Sequence, residues 1–309
     1  MDVVVVNYNT RDHLAACLAA VTAEAPTRTV VVDNASTDGS PSMVRERYPN
    51  VVLRANARNL GFGAAANQGI GECTAAYVLL LNSDTRVAPG ALSALTAYLD
   101  NHPRVAIAGP RLVGSDGHLQ ASCFPFWLPF PLGAFATDGT AGRLLARLPR
   151  VKRGLIPVDW NTPPGPAPWV VGAAIAIRRP AFEAAGGFDN AFFMYFEDVD
   201  LCRRVTAADW EVHFAPVTTI VHVGGASTRA RRTDMAAQYF ASTMVFHRRY
   251  YPGYLVEFLR RVVWAIALSR WVADRVRLGR ARDSQLRARL ERNLAVWRGV
   301  LHGLSSGEA

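Results

Sequence analysis

Three acids, Glu197, Asp198 and Asp200, fall within four positions directly after the aromatic run Phe192-Phe193-Met194-Tyr195-Phe196. Acids in a first helical turn are often only partners of the helix dipole. Beside a wall of rings they suit a second role. The rings would stack on a sugar and exclude water, while a carboxylate kept ionised at the helix start would accept a hydroxyl proton. A second cluster, Asn82-Ser83-Asp84, follows the wholly apolar Val78-Leu79-Leu80-Leu81. An acid there suits a divalent cation with oxygen ligands, or a simple turn. His222 stands between Thr219-Ile220-Val221 and Val223-Gly224-Gly225. It is structural unless an acid joins it as a metal ligand, and Asp84 is the candidate partner.

The segment Asn59-Leu60-Gly61-Phe62-Gly63-Ala64-Ala65-Ala66-Asn67-Gln68-Gly69 has the glycine content of a phosphate loop. Its spacing is not the GxGxxG of a dinucleotide fold. Gly61 and Gly63 either let a backbone approach an anion at a helix start or let a helix pack tightly. Arg229, Arg231 and Arg232 form either a solvated basic loop or a clamp on a leaving diphosphate.

These motifs need elements to hold them. Residues 3–6, 29–33, 51–53, 77–81 and 105–108 read as buried strands, and residues 11–23, 40–48, 61–73 and 89–101 as helices between them. Ser40 is the expected N-cap of its helix, with Pro41 in the first turn. Such alternation predicts a largely parallel α/β sheet covered on both faces. Ligands bind such sheets at the carboxyl ends of the strands. Asn7-Tyr8-Asn9, Asp33-Asn34-Ala35-Ser36 and Asn82-Ser83-Asp84 all fall there. Residues 123–168, rich in proline and aromatics, read as an irregular insertion. Strand character returns over 169–177, short helices follow at 180–185 and 197–207, and the chain is helical after Asp234.

Composition narrows the class. The 309 residues are half hydrophobic, enough for a sizeable core, with nothing that marks disorder or a disulfide scaffold. Cys17, Cys73, Cys123 and Cys202 include no CxxC pair, which disfavours a zinc cluster and fits reduced, buried thiols in the cytosol. The sequence starts without a secretory leader pattern and contains no run long enough to cross a bilayer. Charge is concentrated near the C-terminus. Residues 247–298 hold thirteen arginines and no lysine against Glu257, Asp274, Asp283 and Glu291, which accounts for the whole net charge of +9. Within that segment lie the apolar stretch 262–268, flanked by Arg260, Arg261 and Arg270, and two tryptophans, Trp264 and Trp271. A helix lying in a membrane interface fits this pattern, as does packing on the catalytic domain or in a homodimer. No nucleic-acid reading module is recognisable, and no nucleic-acid partner is expected.

The run 32–40, then residues 59–69, 82–85, Gly172, the block 196–200 and His222 occur in an order that resembles the family 2 glycosyltransferases, with the bacterial rhamnosyltransferase-like enzymes as the most similar subgroup. The resemblance runs from about Val3 to Gly225 and is weak over 120–168. It implies a GT-A (Rossmann-like) nucleotide-sugar-binding sheet flanked by helices. The catalytic domain would span 1–233, with a nucleotide-binding half at 1–110 and an acceptor-binding and catalytic half at 111–233. A basic helical extension would occupy 234–309. It implies an inverting transferase with Asp198 as base and Glu197 as its acidic neighbour. Asp33 would hold the nucleobase, Asn7 and Asn9 would surround the nucleoside, and Asn59, Gly61 and Asn67 would shape the nucleotide pocket. Ser83 would lie beside the donor, and Trp169 and Gly172 where donor and acceptor sugars meet. Asp84 matches the last acid of the family's metal-binding DxD motif. Asn82 replaces the first, so Mg²⁺ or Mn²⁺ would rest on Asp84, the diphosphate and His222. The implied donor is dTDP-rhamnose or a UDP-sugar, the acceptor a glycan or polyprenyl-linked glycan, and the location the inner face of the cell membrane. A catalytically silent nucleotide-sugar-binding scaffold is the alternative, which the retained Asp84, Asp198 and His222 oppose.

Overall fold

The structure, a computed structural model, describes residues 1–124, 163–224 and 232–305. Its first half is built as the alternation requires. Strands β1 (Asp2–Asn7), β2 (Thr29–Asp33), β3 (Val52–Ala55) and β4 (Tyr77–Asn82) pair in parallel in the spatial order β3-β2-β1-β4. Helices α1 (Arg11–Ala23), α2 (Ser40–Arg47) and α3 (Phe62–Gly71) connect them. The side-chain period of two divides each strand between two cores. Val3, Val5, Val31, Leu79 and Leu81 pack against α1, α2 and α4 (Ala91–Asn101). Val4, Val6, Val30, Val32, Val78 and Leu80 face α3, α5 (Arg179–Ala184) and α6 (Glu197–Ala207). Each such fully buried Val or Leu contributes about 1.5–3 kcal/mol. The four cysteines are free, buried small residues of this kind, and burial pushes each thiol up to about 12.

Beyond β4 the sheet is mixed, which corrects the largely parallel expectation. Strand β5 (Thr85–Val87) leads to α4, followed by β6 (Val105–Val113), β7 (Leu119–Gln120) and β8 (Cys123–Phe124). After the undescribed segment come β9 (Gly165–Pro166), β10 (Trp169–Val170), β11 (Ala174–Arg178) and the twelve-residue β12 (Glu211–His222). β11 runs antiparallel between β4 and β6, and β12 runs parallel to β6 but antiparallel to β5. The helix-strand alternation that signals parallel pairing stops at Val113, and composition alone does not encode direction beyond it. The strand expected over 169–177 is also divided. Trp169 and Val170 pair with β8, β11 pairs with β4, and Gly172 lies in the break. At α2, Gly39 (φ +84°) takes the cap position expected of Ser40, and Asp38 Oδ1 accepts from the Ser40 amide at 3.0 Å and its hydroxyl at 2.6 Å.

The C-terminal helices α7 (Arg232–Tyr250), α8 (Gly253–Arg280) and α9 (Ser284–Ser305) pack on one another around Phe240, Met244, Val256, Val263, Ala267 and Val300. A buried carboxylate ties this bundle to the sheet domain. Asp200 on α6 is fully buried and accepts from Arg204 Nε (2.7 Å), Arg249 Nη1 (2.8 Å) and Tyr250 Oη (2.7 Å), the last two at the end of α7. Arg249 also reaches Asp189 at 2.5 Å, and the Ser242 hydroxyl donates to the Met194 carbonyl at 2.7 Å. Removing one member of such a group leaves charges buried without compensation. Asp200→Ala is therefore expected to cost about 3–5 kcal/mol in urea unfolding, and to expose the chain ahead of α7 to limited proteolysis. A loss well under 1 kcal/mol with an unchanged cleavage pattern would contradict this.

Candidate active site

The carboxyl ends of β1, β2 and β4 carry a closed hydrogen-bond network. Asn7 Nδ2 donates to Asp33 Oδ2 at 2.7 Å and to Ser36 Oγ at 3.2 Å, while the Ser36 amide donates to Asp33 Oδ1 at 2.9 Å. Asn9, held at φ +51°, receives the Thr37 amide at 2.7 Å and donates its own amide to Ser36 Oγ at 2.8 Å. Asp33 is almost wholly buried. Each of its oxygens spends one lone pair on the loop and keeps a second, so it positions the loop whatever else it binds. The Thr10 hydroxyl donates to Asn7 Oδ1 at 2.7 Å, so the 2.6 Å contact with Ser83 has the Ser83 hydroxyl donating to Thr10. Ser83 thereby links β1 to the turn that carries Asp84.

The glycine-rich segment serves packing first. A Cβ on Gly61 (φ +88°) would sit 2.2 Å from the Phe193 carbonyl oxygen, and that oxygen accepts the Phe62 amide at 2.9 Å. Backbone, not an open anion cradle, occupies the approach over Gly61. Gly69 lies against Val4, where a Cβ would meet Cγ1 at 2.4 Å. Asn59 Oδ1 accepts the Gly61 amide at 2.9 Å, and Asn67 exchanges two hydrogen bonds with the Phe188 backbone, at 2.8 and 2.9 Å. Asn34, which motif reading left without a task, donates to the Gly61 carbonyl at 3.0 Å and accepts from Asn56 at 3.0 Å. The β2 loop, the glycine segment and the aromatic run are thus one connected unit.

Asp198 lies in the first turn of α6. Its Oδ2 accepts the Gly172 amide at 2.8 Å and its Oδ1 the Val199 amide at 2.8 Å. A Cβ on Gly172 would stand 3.4 Å from Asp198 Oδ2 and 3.5 Å from the Phe62 ring, so glycine keeps the space beside the carboxylate narrow but open. The next residue, Ala173, accepts the Asn82 amide at 2.9 Å, which places this carboxylate beside the edge bearing Asp84. Burial raises the Asp198 pKa above its ordinary 3.8, and the backbone amides of Gly172, Val199 and Asp198 itself offset only part of that. Burial thus works against the ionised form that the helix start favours. Burial, and then the Asp198 charge, raise Glu197 further, and Glu197 Oε2 has no hydrogen-bond partner among the described residues.

The aromatic run does not form the exposed stacking wall that its composition suggests. Phe192 is buried, Tyr195 packs edge-on to Tyr239 at 5.5 Å, and Phe196 meets Phe246 at 5.4 Å. These rings dock α7, and only Phe193 is well exposed. Trp169 stacks on Phe124 at 4.4 Å and packs against the cluster of Phe192, Val199 and Phe246.

The strand register brings the expected metal pair together. β12 pairs with β5 so that His222 lies opposite Thr85, and His222 Nε2 stands 3.5 Å from Asp84 Oδ1. Gln120 on β7 orients the ring. Its Nε2 donates to the His222 carbonyl at 2.7 Å, which leaves its Oε1 to accept from Nδ1 at 2.9 Å. Nε2 is thereby turned toward the Asp84 carboxylate oxygen. Two acceptors at this separation suit a cation between them, and the hydrogen bond on the far nitrogen is the usual support for a ligating histidine. Among the described residues no group of three His, Cys, Asp or Glu side chains could hold a metal. A cation here would take its remaining oxygens from water and a bound diphosphate, as Mg²⁺ commonly does. Gln120 has no local sequence signal, since only the fold brings its two-residue strand, paired with β6, within reach of His222. Arg229 and Arg231 lie outside the described residues, and Arg232 is described only as the first backbone position of α7.

The model for glycosyl transferase family 2 matches residues 2–137. The N-acetylglucosaminyl-diphospho-decaprenol L-rhamnosyltransferase of Mycobacterium tuberculosis is 30% identical, over 93% of this chain and 97% of the relative. A low-salt glycan biosynthesis hexosyltransferase of Haloferax volcanii is 22% identical, over 89% and 84%. Among solved structures, a mannosyltransferase from Pyrobaculum calidifontis, in complex with GDP-mannose and Mn²⁺, superposes with a TM-score of 0.52 at 16% identity, covering 99% of this chain and 86% of its own. A relative aligned over nearly its whole length, together with the family match at the N-terminal sheet, shows that the chain belongs to glycosyl transferase family 2 and is a glycosyltransferase of the GT-A fold.

Proposed function

We propose that the chain is a metal-dependent inverting rhamnosyltransferase, which moves rhamnose from dTDP-rhamnose to a hydroxyl of a polyprenyl-diphosphate-linked N-acetylglucosamine. The observation that carries the reaction type is the half-buried Asp198 carboxylate, aligned by the Gly172 and Val199 amides beside the Asp84–His222 edge. The activity of the mycobacterial relative supports the sugar and the lipid-linked acceptor.

In this reading Asp198 takes the proton of the acceptor hydroxyl. The oxygen attacks the anomeric carbon opposite the departing nucleoside diphosphate, and configuration inverts in one step. Asp33, Asn7 and Asn9 position the nucleoside, and the connected 59–67 segment shapes its pocket. Trp169 and Gly172 border the sugars. Arg229, Arg231 and Arg232 are proposed diphosphate contacts on sequence grounds. Asp84 and His222 would hold Mg²⁺ or Mn²⁺, which would offset the charge growing on the leaving group. In domain terms, 1–233 is the catalytic unit, and 234–309 the extension, which carries the chain to the inner face of the membrane.

A panel of dTDP- and UDP-sugars tests the donor. Turnover is expected to be fastest with dTDP-rhamnose, lost in EDTA and restored by Mn²⁺ or Mg²⁺. Preference for a UDP-sugar would overturn the donor assignment, and full activity in EDTA the metal role. The acid limb of the pH profile tests the base. Asp198 must be ionised to accept a proton, and its pKa lies above 3.8. The kcat/KM is therefore expected to fall, as pH decreases, at a higher pH than an ordinary aspartate would dictate. An acid limb at or below 3.8 contradicts the environment described for this carboxylate.

A further inference from the structure

Helix α8 is apolar on two faces. Its inner row, Val256, Leu259, Val263, Ala267 and Leu278, is buried in the bundle. Its outer row is not covered by any described residue. Tyr254 is 80% exposed, Phe258 59%, Val272 46% and Val276 49%, and Trp264 at the flank 39%. Steps of seven place Tyr254, Arg261, Leu268 and Arg275 in one line, and Phe258, Ala265 and Val272 in the next. Apolar surface exposed along a 28-residue helix is a binding face by default. No described helix is long and apolar enough to cross a membrane. Arg260, Arg261 and Arg270 also interrupt α8 itself.

Two occupants could cover such a row, and charge separates them. The segment 247–298 carries a surplus of nine positive charges, and the exposed Arg261 and Arg275 lie in the row itself. A second copy related by a two-fold axis would bring like-charged arginines face to face. An anionic lipid surface complements them, and its acyl boundary takes the rings and aliphatic side chains.

We propose that the outer face of α8, formed by Tyr254, Phe258, Val272 and Val276 with Arg261 and Arg275, docks the enzyme flat on an anionic lipid surface. The inference deepens the membrane placement above and rests on it for biological sense, but not for its geometry. Because Asp200 on α6 clasps Arg249 and Tyr250 at the end of α7, the lipid-seated bundle is fixed to the helix that carries Asp198. The site is thereby held at a set height for an acceptor that itself sits in the bilayer.

The test uses the full chain and extruded vesicles, either phosphatidylcholine alone or an equal mixture with phosphatidylglycerol. Sedimentation is expected with the anionic vesicles and to weaken at high salt. The variant Phe258→Ser/Val272→Ser/Val276→Ser is expected to lose binding by about tenfold or more while keeping its circular dichroism and melting temperature. Should that variant not fold, Arg261→Gln/Arg275→Gln at exposed positions is expected to lose binding several-fold. Equal sedimentation of wild type and the folded variants overturns the proposal. So does a wild-type dimer that the serine variant converts to monomer without any vesicle binding, since the face would then belong to a second copy. Donor hydrolysis in vesicle-free buffer is read separately. Its absence beside intact vesicle binding counts against the catalytic reading and leaves the docking face standing.

Discussion

The site depends on the clamp at the start of α6. Two backbone amides hold the Asp198 carboxylate, one from α6 itself and one from Gly172 in the break between β10 and β11. The approach to that helix is strained. Tyr195 and Phe196 both adopt φ +68°, a region that costs non-glycine residues about 1–3 kcal/mol each. Contacts on both sides oppose the relaxation of this turn. From one side the Phe193 carbonyl is caught by the Phe62 amide over Gly61, and from the other the rings of Tyr195 and Phe196 are packed under α7. The proposed role of Asp198, meeting an acceptor hydroxyl in a narrow range of positions, would gain from being overdetermined in this way.

The same logic runs around the sheet edge. Asp33 holds the loop that Asn9 joins, Asn34 reaches the Gly61 carbonyl, and Gly61 abuts Phe193, two residues before the strained turn. Asn82 meets Ala173 beside Gly172. Polar side chains that look like ligand contacts in the sequence are therefore also the connections that make one rigid rim from four loops. Asp200 extends the rim into the C-terminal bundle, so the basic helices are part of the frame of the site as well as the proposed docking surface.

Much of this was legible in the sequence, for physical reasons that also set its limits. The strand at 29–33 and the helices at 11–23 and 197–207 appear with the expected bounds, because buried β-branched runs and apolar helical spacing are local signals. Asp84 and His222 could be paired only as candidates, since 138 positions separate them and the β5–β12 register decides the contact. The tie that Asp200 makes to the C-terminal bundle could not be read, because two of its three partners lie about fifty residues away on α7. The aromatic run misled for the same reason. Its composition suits a sugar wall, but the covering helix that uses those rings lies downstream. Gly61 resolved toward packing, a choice that spacing could not make. The direction of β11 depended on pairing partners that no periodicity reveals.

The central claim is that Asp198 removes the acceptor proton and does nothing essential for donor binding. Asp198→Asn keeps the size and one oxygen of the side chain, so it measures the charge with little disturbance of shape. Calorimetric titration with the nucleoside diphosphate, set beside single-turnover transfer to a lipid-linked acceptor, tests the claim most directly. Nucleotide affinity is expected within a few-fold of wild type, and transfer reduced by about a hundredfold or more, the scale set by general-base catalysis. Full transfer by the folded variant, or loss of nucleotide binding together with transfer, would contradict it.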